Sequence, residues 1–229
     1  MLPTSASGTL AQVENRLLLP LMVTWFALSP GFAQEIRARD AGNWDGGFAV
    51  PGVQGSVMAM AFDKKRIYIG GALQSVGRVK ADAVGAFSGN RWRALPHGPQ
   101  QEPNLFNVMT MTMFQERLYV GGFFTNAGRM PAGGLANWNG IRWKAPGGVT
   151  NGEVLALRND GQSLLVGGRF SVPGITNPVA LARFDGTKWF VLNSELTPTN
   201  EVVRIDNINK LEVLPDGTIV AQVSFFNRL

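Results

Sequence analysis

The chain has 229 residues, of which 28 are glycine, 45% are apolar and 16% are charged, with no cysteine, one histidine and a formal net charge of +5. Glycine at about 12% against a usual share of about 7%, with few Glu and Lys, argues against a helical protein, and the apolar content argues against disorder. The lack of cysteine excludes disulfides, thiolate metal sites and cysteine nucleophiles, and the lone His97 excludes any site built from two imidazoles.

In chain order the first feature is an apolar run from Leu17 to Ala33, interrupted by Pro20, Thr24, Ser29, Pro30 and Gly31. It is short for a membrane span and ends in Pro-Gly-Phe-Ala, with small residues three and one before Gln34. Residues 1–33 therefore read as a cleaved secretory signal. A retained N-terminal anchor is the alternative, because Glu14 and Arg16 are the only charges ahead of the run. Removing that segment takes away one of each sign, so residues 34–229 keep the charge of the whole.

The remainder is repetitive. Gly70-Gly71, Gly121-Gly122 and Gly167-Gly168 each follow an apolar triplet, and each is followed by Leu73, Phe124 or Phe170, then by Gly77, Gly128 or Gly174. Val84, Leu135 or Leu181 comes next, then Phe87, Trp138 or Phe184, then Gly89, Gly140 or Gly186. Arg91-Trp92, Arg142-Trp143 and Lys188-Trp189 close the three copies, which align without a gap. From Trp44 onward the tryptophans are 48, 51 and 46 residues apart. A strand-rich period near fifty indicates propeller blades rather than helical repeats. The first unit reads as four strands, Val57–Phe62, Arg66–Gly71, Ala83–Ser88 and Arg91–Leu95. Large and small residues alternate along the inner strands (Met58, Met60 and Phe62 against Ala59 and Ala61; Met109, Met111 and Met113 against Thr110 and Thr112). The large set is expected to pack on a neighbouring sheet, and its methionines read as core filling. After Trp189 two further strands, Ile208–Leu214 and Thr218–Phe225, flank Pro215-Asp216-Gly217, with Gln222-Val223 in place of the double glycine.

The double glycine, the aromatic and the closing tryptophan resemble the kelch-type blade, and more closely the secreted repeats related to the cortical cell-polarity marker proteins. The resemblance covers residues 44–189. It implies an all-β β-propeller of roughly 48-residue, four-stranded blades and no fixed chemistry. A single repeat domain then spans 34–229, with blades over about 45–92, 93–143, 144–189 and 190–229. The last would be completed by 35–44 (Ile36–Trp44) as a closing blade shared by the two chain ends. The alternatives are a fragment of a longer propeller, or an open arc that completes itself as a homodimer.

Propeller loops on one face carry the candidate binding residues: Gln74, Arg78, Asn126, Arg129 and Asn177 after the double glycines, and His97, Gln100, Gln101, Asn104, Asn151 and Asn193 in the links between blades. Amides and arginines around an opening suit hydroxyl-rich or anionic glycans and also protein partners. Ordinary solvated loop residues are the bland reading of each. No catalytic, metal or cofactor set is selected: His97 has no second histidine to relay or ligate, and Asp160, Asp185 and Asp216 each precede a glycine as turn residues. Lys64-Lys65-Arg66 is the one basic cluster and reads as a solvated hairpin tip, so nucleic acid is not expected as a partner. The expected role is that of a secreted or periplasmic, non-catalytic scaffold for a glycan or protein at the cell envelope, without a membrane span in the mature chain. The alternative is a propeller enzyme (lyase, lactonase or glycoside hydrolase) with its site over the central opening. A bound divalent ion there would favour the enzyme, and a channel plugged by Met and Phe the scaffold.

Overall fold

The computed structural model describes residues 52–99, 108–147, 152–175, 177–192 and 207–224. The assignments to residues 1–33 and to Ile36–Trp44 lie outside these. All regular structure among the described residues is β. The first sheet contains β1 (Val53–Phe62), β2 (Ile67–Val76), β3 (Val79–Lys80), β4 (Val84–Ser88) and β5 (Arg91–Ala94). Next come β6 (Thr110–Phe114), β7 (Arg117–Gly121), the small hairpin β8 (Asn126–Ala127) and β9 (Met130–Pro131), then β10 (Leu135–Trp138) and β11 (Trp143–Lys144). The third sheet has β12 (Gly152–Asn159), β13 (Leu164–Phe170), β14 (Val179–Phe184) and β15 (Trp189–Val191), and a final pair comprises β16 (Asn207–Val213) and β17 (Ile219–Ser224).

Each of the first three sheets is an antiparallel meander: β1-β2-β4-β5 with β3 folded back on β2, β6-β7-β10-β11, and β12-β13-β14-β15. The fourth is the β16-β17 ribbon. The four-strand reading of each repeat therefore holds for three units. The strand edges differ by a few residues, and β2 runs on to Val76 because its far half pairs with the extended start of β1, its last two residues also pairing with β3. That extension was not expected, since two-residue strands are too short to show a period.

The core is divided into layers between consecutive sheets. Ala61, Tyr68 and Ala86 of the first sheet meet Val108, Met111 and Val120 of the second. Tyr119 and Leu135 meet Val154, Leu157 and Phe170 of the third, and Ala156 and Leu181 meet Ile208 and Leu211 of the last. The double glycines set the spacing of these layers. A Cβ on Gly70 would lie 2.6 Å from a methyl of Val108, one on Gly121 2.6 Å from Val154, and one on Gly167 2.8 Å from Ile208. In each case the first glycine is the seat for a branched residue near the start of the next sheet's inner strand. Opposite the pair, β1 and β12 carry a bulge, at Met58 and Leu155. The bulge persists at Asn209 of β16, opposite Gln222-Val223.

The expectation that the large residues of each inner strand pack on a neighbouring sheet needs correction for β1. Met58, Met60 and Phe62 are 44%, 59% and 74% exposed, while the small residues beside them, Ala59 and Ala61, face the second sheet. One strand later the expectation holds for Met111, which is buried, and for Met113, which packs against the layer shared with the first sheet, but not for Met109, which is half-buried and lines the cavity described below.

Candidate functional site

Two of the repeat tryptophans tie their sheets, the second and the third, to the link that enters each. Trp143 Nε1–H donates to the Pro96 carbonyl at 3.1 Å and Trp189 Nε1–H to the Gly147 carbonyl at 3.2 Å. Each acceptor lies four residues beyond the tryptophan of the preceding sheet. The ring of Trp138 is tilted against Trp143, and that of Phe184 against Trp189, with centroids 5.4 and 4.7 Å apart. The indole is thus both an apolar plate and a donor that satisfies a link carbonyl.

These latches position the hairpin tips. Gly77 sits against the Trp92 side chain and Gly128 against that of Trp143, and both have positive φ, 60° and 68°. Arg78 and Arg129 follow them at the tips of the β2-β3 and β8-β9 turns, and both are exposed. Gln74 is exposed in the outer half of β2, where its main-chain carbonyl accepts from Ala81 N–H. Asn126 is exposed on β8 and donates to Thr125 Oγ1 at 3.1 Å. Asn177 is exposed ahead of β14. His97 is exposed with φ 53°, and its carbonyl accepts from Gly128 N–H at 2.7 Å, so this link touches the second sheet's hairpin tip. Gln100, Gln101, Asn104, Asn151 and Asn193 lie outside the described residues.

The turn aspartates are anchored locally. Asp63 Oδ1 accepts from the N–H groups of Lys65 and Arg66, Asp160 Oδ1 from Gln162 and Ser163, and Asp185 Oδ1 from Thr187 and Lys188. Asn139 makes the same pair of contacts at Ile141 and Arg142. Burial pushes the Asp160 carboxyl up, but the donors on Ser163 and Gln162 and the charge of Arg183 outweigh it and hold the group below its ordinary value of 3.8. The two N–H donors lower Asp185 in the same way. Low carboxylates held by their own turns are structural groups, not acids or bases poised for proton transfer.

A central opening is expected from the repeat, but the sequence singles out none of the polar residues that line the space between the inner strands. The inner strands β1, β6, β12 and β16 surround a cavity of about 430 Å³. Its apolar lining includes Met58, Met60, Met109 and Leu155, and its polar lining comes from Asn209, Lys210 and Glu212 of β16 with Arg158 of β12. Arg158 pairs with Glu212. Met111 is a further methionine of the lining. Aligning Lys210 with Ala59, Thr110 and Ala156 would have marked it, but the inner strands carry none of the invariant repeat residues to guide that alignment.

No family model and no curated protein matches the chain. Solved structures that it resembles include the computationally designed Ika4 protein, at 13% identity and a TM-score of 0.42 over 76% of this chain and 95% of that one. YCF48 bound to D1 peptide is similar at 12% identity and a TM-score of 0.37, over 73% of this chain and 46% of that one. The WD40 β-propeller domain of Doa1 is similar at 8% identity and a TM-score of 0.25, over 75% and 90%. Propeller-type folds are thus among the neighbours.

Proposed function

We propose that the protein is a secreted or periplasmic, non-catalytic β-propeller of kelch-like type. It acts as a binding scaffold for a glycan or protein at the cell envelope through the loops that carry Gln74, Arg78, Asn126, Arg129, Asn177 and the link residues. Four blades make the ring, and Ile36–Trp44 supplies the strands that β16 and β17 lack. The observation that carries the binding reading is the repeated tip. Arg78 and Arg129 occupy the same repeat position in consecutive units, both exposed, each beside a glycine seated on a repeat tryptophan. The residue after each arginine, Val79 or Met130, is 44% or 53% exposed, so each tip offers a guanidinium beside an apolar surface. Rigid presentation lowers the ordering cost of binding, and arginine pairs with planar anions.

The test is a screen of the purified protein on an array of neutral and acidic glycans and on immobilised envelope proteins, repeated with the Arg78→Glu/Arg129→Glu double variant. Binding that falls about tenfold or more in the double variant, with unchanged circular dichroism, is the expected result. Equal binding by both proteins would remove the tips from the site. The lack of any ligand across both sets would count against the scaffold role itself.

A further inference from the structure

Equivalent positions come into register when the four inner strands are aligned on the residues that pair with Gly70, Gly121, Gly167 and Gln222, namely Ala59, Thr110, Ala156 and Lys210. Val57, Val108, Val154 and Ile208 begin the series; Met60, Met111, Leu157 and Leu211 follow on the same side. On β6, β12 and β16 these residues are buried against the preceding sheet, whereas Val57 and Met60 of β1 are 44% and 59% exposed. The opposite side of each strand faces the following sheet. There Ala59 and Ala156 are small and packed, and Thr110 Oγ1 accepts from Leu157 N–H at 3.1 Å. The corresponding residue of β16 is Lys210, which is exposed.

The cavity therefore has walls of unlike chemistry. Met58, Met60 and Leu155 present thioether and alkyl groups, and β16 presents an ammonium. Because Arg158 and Glu212 neutralise each other, Lys210 leaves the lining with one net positive charge. Closing the β1 wall onto the β16 wall would strip water from the ammonium, and among the described residues Met58, Ala59 and Met60 of β1 bring it no oxygen acceptor on a side chain. Leaving it wet keeps the apolar wall exposed. The strand does not accept a further sheet in the usual way either, since Gln222 stands where Gly70 and Gly167 admit a branched residue. An occupant that suits both walls is apolar on one side and anionic on the other. A cavity of about 430 Å³ falls in the range for small-molecule sites, and methionine adapts to irregular apolar shapes.

We infer that the central cavity binds a small anionic amphiphile, its carboxylate, sulfate or phosphate head at Lys210 and its apolar body along Met58, Met60 and Leu155. This site is separate from the loop tips, so either assignment can fail without the other.

The experiment is calorimetric titration of the purified protein with decanoate below its micelle concentration, against decan-1-ol and decyltrimethylammonium as neutral and cationic counterparts. Decanoate is expected to bind saturably at one per chain, decanol more weakly, and the cation not at all. Lys210→Met should weaken decanoate about three- to tenfold and leave decanol unchanged, whereas Met60→Gln should weaken both. Dodecyl sulfate and dodecyl phosphate in place of decanoate distinguish the head groups. Should Lys210→Met not fold, raising salt from about 0.05 to about 0.5 M on the unaltered protein must weaken decanoate and not decanol. Decanoate and decanol binding alike, no saturation by about 1 mM, or salt-independent uptake would each overturn the site. So would a dimer that takes up no decanoate and dissociates on Met60→Gln, which would assign the apolar wall to a second copy. Uptake seen only after removal of residues 34–50 would assign that wall to the chain's own N-terminal segment and equally overturn it.

Discussion

Trp143 joins two energetic terms in one side chain: it is buried to 3% exposure, and its indole N–H satisfies the Pro96 carbonyl. Trp143→Phe should therefore cost about 2–3 kcal/mol, combining lost apolar contact with an orphaned carbonyl, as read from urea unfolding. Asp160 separates geometry from charge. Its native value is depressed, so its contribution is fully present above the unfolded-state value, and is lost as pH falls through the lower folded value. Asn139 holds an equivalent turn without a charge. Asp160→Asn should accordingly retain most of the stability at pH 7 while flattening the loss of stability below about pH 4. Asp160→Ala, which abandons both N–H contacts and the Ser163 hydroxyl, should cost about 1–3 kcal/mol at pH 7. Denaturant midpoints across the acid range distinguish the two. The turn role of this aspartate was legible from the glycine after it. Its partner Arg183, 3.5 Å away on β14, was not, because strand pairing brings the two together.

Between elements, the seat formed by the first glycine of each pair governs how closely two sheets approach. Gly121→Ala places a methyl 2.6 Å from a Val154 methyl, 2.7 Å from a Thr110 methyl and 3.0 Å from the Val154 carbonyl. Backbone must then move, and a destabilisation of about 1–3 kcal/mol is expected, measured by thermal or urea unfolding. Long strands such as β12 and β13 were readable from their apolar runs and turn residues, because a half-buried or buried strand needs that composition. The β8-β9 hairpin was not readable: two residues per strand cannot display alternation, and its order comes from Gly128 packing on Trp143 and from the His97 carbonyl. The exposure of β1 could not be read from its alternation either, because that alternation matches β6 and only the neighbouring sheets decide which side is covered.

At the scale of the whole molecule, the two ends of the series differ in character. The β1 side exposes Val57, Met58, Met60 and Phe62, and the β16-β17 side offers Lys210, Glu212 and Gln222. Light scattering on residues 34–229 is expected to give a monomer if, as proposed, the ends of the ring share one blade. A dimer would instead mean that the arc finds its missing strands on a partner. By itself the sequence determined the repeat, its strand content, the turn aspartates and the tryptophan closing each unit, because these depend on residues close in the chain and on conformations that only certain residues adopt. The tertiary structure decided which side of each inner strand is buried, the latch from tryptophan to the preceding link, and the cavity with unlike walls. Those properties belong to pairs of residues forty or more positions apart, whose meeting no local pattern records.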